Sequence, residues 1–335
     1  MDRASGYRNA EKIQHGFTMF TPGTIHGRHF PAVRGYGKEF LASQDSVVYT
    51  GLNTKIKYGI RREHQEGGVG ANTLLIVEDS FVQGKIIRKQ FEVLTEFAVL
   101  IASSLTEAEA LITAHKEELF AAVVDLNLPD APNGEAVELC HQHDLACIVL
   151  TASFDESLRQ QFLEKRVADY FLKGSIDDIE PLTLSVQRLH ANRRVKALVV
   201  DDSGTQRHIV KKMLAAQCIS SLEATDGMEA LDVLAQNPDI RLVITDFEMP
   251  RMDGITLAHE IRGKYKINNM AVIGLSAVGS GPLTAKFLKY GANDFLTKPF
   301  EAEEFYWRVN QTLNVLDVMR ELQDYRKQAG QSRAD

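Results

Sequence analysis

The property that most limits how this chain can fold is that it repeats itself, at a shift of about 123 residues. Leu74-Leu-Ile-Val-Glu-Asp-Ser80 returns as Leu198-Val-Val-Asp-Asp-Ser203, and Ala121-Ala-Val-Val-Asp125 returns as Leu242-Val-Ile-Thr-Asp246. Cys147-Ile-Val-Leu-Thr-Ala152 matches Val272-Ile-Gly-Leu-Ser-Ala277, and Ala168-Asp-Tyr-Phe-Leu-Lys173 matches Ala292-Asn-Asp-Phe-Leu-Thr-Lys298. Solenoid units run about 20 to 50 residues, so a period this long means a duplicated whole domain. The length of 335 residues accommodates two ordinary domains with a remainder.

Both copies share one grammar. Apolar runs of four to six residues, rich in Val and Ile and bounded by polar ends, read as strands buried on both faces. Stretches with helical spacing alternate with them, which implies a parallel sheet built from five βα units per copy. In the second copy the spacing predicts helices over Gln206–Ala216, Gly227–Gln236, Gly254–Lys264, Leu283–Tyr290 and from Glu303 onward. A helix over Pro181–Arg194 runs straight into a strand at Lys196–Val200 with no Gly/Ser linker, so the copies are expected to sit in a restricted orientation. The fold class expected is therefore α/β, with two doubly wound (βα)5 domains, each holding a five-stranded parallel sheet.

In such a sheet the carboxyl ends of the strands form the crevice where ligands bind. The first copy places Glu78, Asp79, Asp125, Thr151 and Lys173 there; the second places Asp201, Asp202, Asp246, Ser276 and Lys298. From acid pair to central Asp the spacing is 46 and 44 residues, then 26 and 30 to the hydroxyl, then 22 and 22 to the lysine. Three clustered carboxylates repel one another, and a cation or a proton must relieve that repulsion. Hard oxygen ligands of this kind suit Mg²⁺, beside which an aspartate can act as a nucleophile toward phosphorus. The lysine could then neutralise added phosphoryl charge and the hydroxyl could hydrogen-bond a phosphoryl oxygen. Taken singly each residue has a plainer reading: Ser80 or Ser203 as a helix N-cap, a lysine snorkelling at a strand end. The same order occurring twice argues against coincidence.

This constellation resembles the receiver domain of two-component response regulators, over about residues 72–315. The resemblance implies that Asp125 and Asp246 accept a phosphoryl group from a sensor histidine kinase or a histidine phosphotransfer protein. It implies that Glu78 with Asp79, and Asp201 with Asp202, hold Mg²⁺, with the backbone carbonyls of Asn127 and Glu248 completing the set. Thr151 and Ser276 take the place of the switch hydroxyls, Lys173 and Lys298 of the phosphate-binding lysines, and Tyr170 and Phe295 of the rotating aromatics. The second copy carries the whole pattern, including Asp246-Phe-Glu-Met-Pro-Arg-Met-Asp-Gly254 and the Lys298-Pro299 pair, where the family commonly has a cis peptide bond. The first copy departs from it with Lys173-Gly174 and with Asp130-Ala-Pro-Asn-Gly134. The implied readout is a phosphorylation-dependent homodimer formed through the face of the fourth helix, fifth strand and fifth helix.

The rest of the chain is less informative. Residues 1–71 carry 10 Lys+Arg against 6 Asp+Glu, a net +4, and 11 of the 23 glycines; the other 264 residues carry 28 against 39, a net −11. This leader has no assigned function. Ser46–Thr50 and Lys55–Ile60 could pair as a hairpin, and no nucleic-acid motif accompanies the basic charge. At the other end, Val309, Leu313, Leu316, Met319 and Leu322 keep a three-to-four spacing, expected of a signalling or coiled-coil helix over 316–335 beyond a second domain at 195–315. That region resembles tandem-receiver regulators whose next domain is a GGDEF diguanylate cyclase, yet 37 residues follow Lys298 and the GGDEF signature is absent from the sequence. The chain itself is therefore not expected to be an enzyme: it reads either as a truncated regulatory fragment of a cyclic-di-GMP-forming cyclase or as a stand-alone protein that acts by binding. A haloacid-dehalogenase-type phosphatase would need a second Asp two residues after the nucleophile, where Asn127 and Glu248 stand. No apolar run approaches the roughly 18 residues of a membrane span. The first residues do not read as a secretory signal, and Cys140, Cys147 and Cys218 form neither a disulfide framework nor a metal-spaced cluster, so a cytoplasmic location is expected.

Overall fold

The computed structural model describes residues 40–43, 46–49, 71–152, 165, 167–173, 179–277 and 281–331. A small antiparallel hairpin, β1 (Phe40–Ser43) with β2 (Ser46–Tyr49), falls in one unit, Met1–Lys57. Of the hairpin expected from the sequence, Ser46–Tyr49 is a strand, and its described partner is Phe40–Ser43. Lys55–Ile60 lies outside the described residues.

All other described elements belong to the unit Tyr58–Asp335 and form two lobes. The first lobe contains β3 (Thr73–Val77), α1 (Phe81–Leu94), β4 (Ala98–Ala102), α2 (Leu105–Ala114), β5 (Leu119–Asp125), α3 (Glu135–Gln142), β6 (Ala146–Thr151), β7 (Asp169–Leu172) and α4 (Ile179–Asn192). The second contains β8 (Lys196–Val200), α5 (Gly204–Ala216), β9 (Ser220–Ala224), α6 (Gly227–Gln236), β10 (Ile240–Asp246), α7 (Gly254–Lys264), β11 (Ala271–Ser276), α8 (Gly281–Lys289), β12 (Asp294–Thr297) and α9 (Ala302–Gln331). The sheets run β4-β3-β5-β6-β7 and β9-β8-β10-β11-β12, all parallel, which is the 2-1-3-4-5 order of a flavodoxin-like fold.

Sequence explains this order of burial. β3 and β5 are central, and every residue of Thr73–Val77 and Leu119–Asp125 is buried. The edge strand β9 reads Ser-Ser-Leu-Glu-Ala and buries only Ala224. Ser80 and Ser203 do act as N-caps, accepting from the backbone N–H of Gln83 and Gln206. That fixes the turn in which each acid pair sits.

Helix α9 starts close to where the spacing predicts it and continues as one helix of 30 residues, about 45 Å long, across the expected limit at 315/316. The stripe read as a coiled-coil seam is split between two environments. Val309, Leu313 and Leu316 are buried with Phe305 in the second lobe's own core, whereas Met319 and Leu322 are exposed.

A third stripe of α9 touches the first lobe through a chain of hydrogen bonds. Gln217 Nε2 donates to the Ala168 carbonyl, and Asn310 Nδ2 donates to Gln217 Oε1. Asn192 Nδ2 donates to Asn310 Oδ1, and Arg188 Nε donates to Asn192 Oδ1. Arg188 Nη1 then reaches Asn314 Oδ1 and Asp317 Oδ2, while Arg241 Nη2 holds Asp317 Oδ1 at 2.8 Å. Asn192, Gln217 and Arg188 are all buried, so these groups are costly unless satisfied in this one register. Burial alone would raise the Asp317 carboxyl, but the Arg188 and Arg241 guanidinium groups outweigh it and hold it below its ordinary range. Replacing Asp317 by Ala deprives both arginines of their shared carboxylate. Urea unfolding of that variant is expected to show a loss of about 2–3 kcal/mol, less than a fully buried pair would give because Asp317 keeps some solvent contact. Lys327→Ala, at an exposed ion pair near the helix end, should change stability by less than about 0.5 kcal/mol.

Candidate functional site

The parallel register carries the residues singled out in the sequence to one end of each sheet. In the first lobe β5 ends on Asp125 beside Leu150 of β6, and Thr151 pairs with Leu172 of β7. The Lys173 N–H donates to the Thr151 carbonyl at 2.7 Å, and in the second lobe the Lys298 N–H donates to the Ser276 carbonyl at 2.8 Å. Hydroxyl and lysine are thereby held side by side in both copies. Thr151 and Ser276 are both buried.

Each lysine bridges two carboxylates. Lys173 Nζ donates to Asp125 Oδ2 at 2.5 Å and lies 2.7 Å from Glu78 Oε2. Lys298 Nζ donates to Asp246 Oδ1 at 2.5 Å and to Asp201 Oδ2 at 2.8 Å. Burial alone would lower both lysines, but the hydrogen bonds and charges of their acids outweigh it and hold them above the ordinary value. Burial raises the carboxyls of Glu78 and Asp246 despite the lysine next to each. The backbone turn after each acid supplies further donors. Asn127 N–H reaches Asp125 Oδ1 at 3.1 Å, Glu248 N–H reaches Asp246 Oδ2 at 3.0 Å, and the Ser80 and Ser203 N–H groups reach Glu78 and Asp201.

Asp79 and Asp202 are exposed at the rims. Glu78, Asp79 and Asp125 can each bring one oxygen within 4.8 Å of the others; among the described residues Asp201, Asp202 and Asp246 do not converge as closely. Glu78 Oε2 is buried and, although close to Lys173, receives no well-directed hydrogen bond. A buried carboxylate oxygen left in that state beside two further acids fits a hard divalent cation.

The aromatics differ between lobes. Phe295 is buried with its ring 6.2 Å from that of Phe287, while Tyr170 is half-buried and its hydroxyl donates to Glu303 Oε1 of α9 at 2.8 Å. The Lys298–Pro299 peptide is cis. Gly254 answers a steric need, since a Cβ there would collide with the carbonyl oxygen of Asp246, and no other residue lets the loop close so tightly over the acid.

Sequence reasoning missed three neighbours of the site. Arg207 Nη1 donates to the carbonyls of Asp201 and Asp202, Arg251 at positive φ forms an ion pair with the α6 N-cap Asp226, and Glu303 meets Tyr170. Arg251 lies inside the quoted loop motif, but its partner is 25 residues away. Glu303 belongs to the other lobe and had no local signal.

Comparison with known proteins agrees with this geometry. The model of the response regulator receiver domain matches residues 197–310. A chemotaxis protein CheY homolog of Campylobacter jejuni is 39% identical over 107 residues, a match covering 32% of this chain and 82% of the relative. The chain belongs to the response regulator receiver family. Chemotaxis protein CheY1 of Helicobacter pylori is similar, 36% identical over 107 residues with 86% of its length covered. A crystal structure described as a putative two-component system response regulator/GGDEF domain protein is 39% identical, with a TM-score of 0.67 over 73% of this chain and 99% of that one. Both lobes thus have the receiver fold, and the second is a receiver by sequence as well.

Because the folded Glu78 carboxyl binds its proton more tightly than an unfolded one, the receiver loses stability as pH rises from 4.5 through the raised folded value. Glu78→Gln removes that loss. With a chelator present, its melting temperature is expected to exceed that of the unaltered chain at neutral pH, and the gap should close as the buffer is taken down to about pH 4.

Proposed function

We propose that the chain is a tandem receiver, with one receiver over 72–194 and another over 195–315, each taking a phosphoryl group on its central aspartate. The observation that carries this reading is that Asp125 and Asp246 are each bonded to a lysine that also holds a second buried acid, with a buried hydroxyl one strand away.

The chemistry follows from those groups. An oxygen of Asp125 or Asp246 attacks the phosphorus of a phosphohistidine; a P–O bond forms as the P–N bond breaks, and the electron pair returns to the imidazole, which takes a proton. The donor in this reading is a sensor histidine kinase or a histidine phosphotransfer protein. Mg²⁺, held by Glu78, Asp79, Asp125 and the Asn127 carbonyl, or by Asp201, Asp202, Asp246 and the Glu248 carbonyl, would offset the charge gathered on the phosphoryl oxygens. Lys173 or Lys298 leaves its ground-state carboxylates for the new dianion, and Thr151 or Ser276 turns its hydroxyl to a phosphoryl oxygen. The lysine and hydroxyl loops move with them, and Tyr170 or Phe295 repacks into the space vacated. The protein thereby shifts between two surface states instead of catalysing a turnover.

Readout by homodimerisation is supported by α9, where Trp307, Val315, Val318, Leu322 and Tyr325 form an exposed apolar stripe. The spacing from Val315 to Tyr325 is that of a coiled-coil seam, and it shares Leu322 with the stripe read in the sequence. A second reading, that this is the regulatory part of a diguanylate cyclase, is favoured by the similarity to the response regulator/GGDEF structure. A cytoplasmic location fits the three free thiols, and among the described residues no helix is long and apolar enough to cross a membrane. Residues 1–71 have no role in this proposal, and nothing in them supports binding to nucleic acid.

Incubation with acetyl phosphate and Mg²⁺, followed by intact mass, is expected to label the chain at two sites, with one label lost in Asp125→Ala and one in Asp246→Ala. A chain that takes no label on either aspartate refutes the proposal. On sizing columns the beryllofluoride-loaded chain should run as a dimer, and Leu322→Glu should leave loading intact while returning it to monomer.

A further inference from the structure

Two elements of the face that a receiver would offer to a partner, strand β7 and helix α4, are already contacted in the first lobe, and by the same chain. Strand β7 is only four residues long. At its end, Lys173 is bonded to Asp125. At its start, the Ala168 carbonyl accepts from Gln217 of the second lobe, and in its middle the Tyr170 hydroxyl donates to Glu303 on α9. Helix α4, beside it, is joined to α9 through Asn192 to Asn310 and Arg188 to Asn314 and Asp317. One short strand therefore joins the phosphoacceptor pocket at one end to the other lobe at two points. Any movement of Lys173 is delivered to residues that already touch α9.

We infer that the partner of the β7–α4 face is the second lobe of this chain, and that Tyr170 passes the state of Asp125 to α9 through Glu303. This rests on the phosphoacceptor role proposed above for Asp125. Drawing Lys173 onto a phosphoryl group shifts β7, and the Tyr170 hydroxyl cannot both follow the strand inward and keep its bond to Glu303. Two states result, one with the bond and one without it, and ligand at Asp125 selects the second. By reciprocity, weakening the bond must strengthen loading at Asp125. Phe295 has no hydroxyl, so the second lobe has no equivalent tie, and the coupling runs from the first lobe to the second.

The chain contains its own reporter. Trp307 is the single tryptophan, it is 61% exposed, and it lies one helical turn after Glu303 on the same side of α9. The experiment uses the full chain carrying Asp246→Ala, so that beryllofluoride with Mg²⁺ can load only Asp125. Loading is followed by fluorine NMR of the bound adduct, and Trp307 emission is recorded on the same samples. The expected result is an emission change that saturates with the adduct and disappears in both Tyr170→Phe and Glu303→Ala. In those two variants beryllofluoride should also bind about 5-fold tighter or more, the range of ordinary coupling between sites. An adduct that forms without moving Trp307 emission, or that moves it equally in the variants, overturns the inference and leaves the phosphoacceptor role standing. No adduct at Asp125 defeats that role for the first lobe, and the coupling with it.

Discussion

Each lobe depends on one lysine held between two carboxylates, at least one of which is buried. Without Lys173, Glu78 and Asp125 would face each other inside the protein with no counter-charge, and one of them would have to bind a proton to remain there. With it, the acids have a counter-charge, and one that can leave for a stronger anion. The register of β6 against β7, and of β11 against β12, sets where that lysine stands. Parallel pairing matters here because it gathers strand ends that are far apart in the sequence at a single edge.

The two copies have kept this device and changed what surrounds it. In the second lobe the aromatic is a buried phenylalanine, the lysine is followed by a cis proline, and an arginine braces the carbonyls of the acid pair. In the first lobe the acids draw closer together, and the aromatic is a tyrosine whose hydroxyl is engaged by the neighbouring lobe. The first lobe departs from the family pattern in sequence, yet its three acids are the better gathered for a cation.

The sequence was a good guide wherever a signal is local or repeated. The strand Lys196–Val200 and the helices Gly227–Gln236 and Gly254–Lys264 have the limits their apolar runs and caps imply. The five strand-end groups were legible because each occurs twice in the same order. What could not be read depends on partners distant in the chain. The pairing of β2 with β1 was not foreseen, because short strands in a Gly-rich segment offer several pairings of similar quality. The periodicity of α9 was detected, but spacing alone does not say whether an apolar stripe meets its own sheet or solvent, so how its residues divide between core and surface was not legible. Glu303, Asn310, Asn314 and Asp317 look like an ordinary polar helix face until the other lobe is placed against them.

The hydrogen-bond chain from Ala168 to Arg241 has a consequence for how such a protein can change over time. Duplicated domains are commonly regarded as modules that can drift, be exchanged or be lost one at a time. Here the amide of Gln217, the two facing asparagines and the two arginines sharing one aspartate require their counterparts one for one, so a lobe borrowed from elsewhere would leave several buried polar groups without a partner. Two copies of one domain are thereby tied, residue to residue, into a single unit.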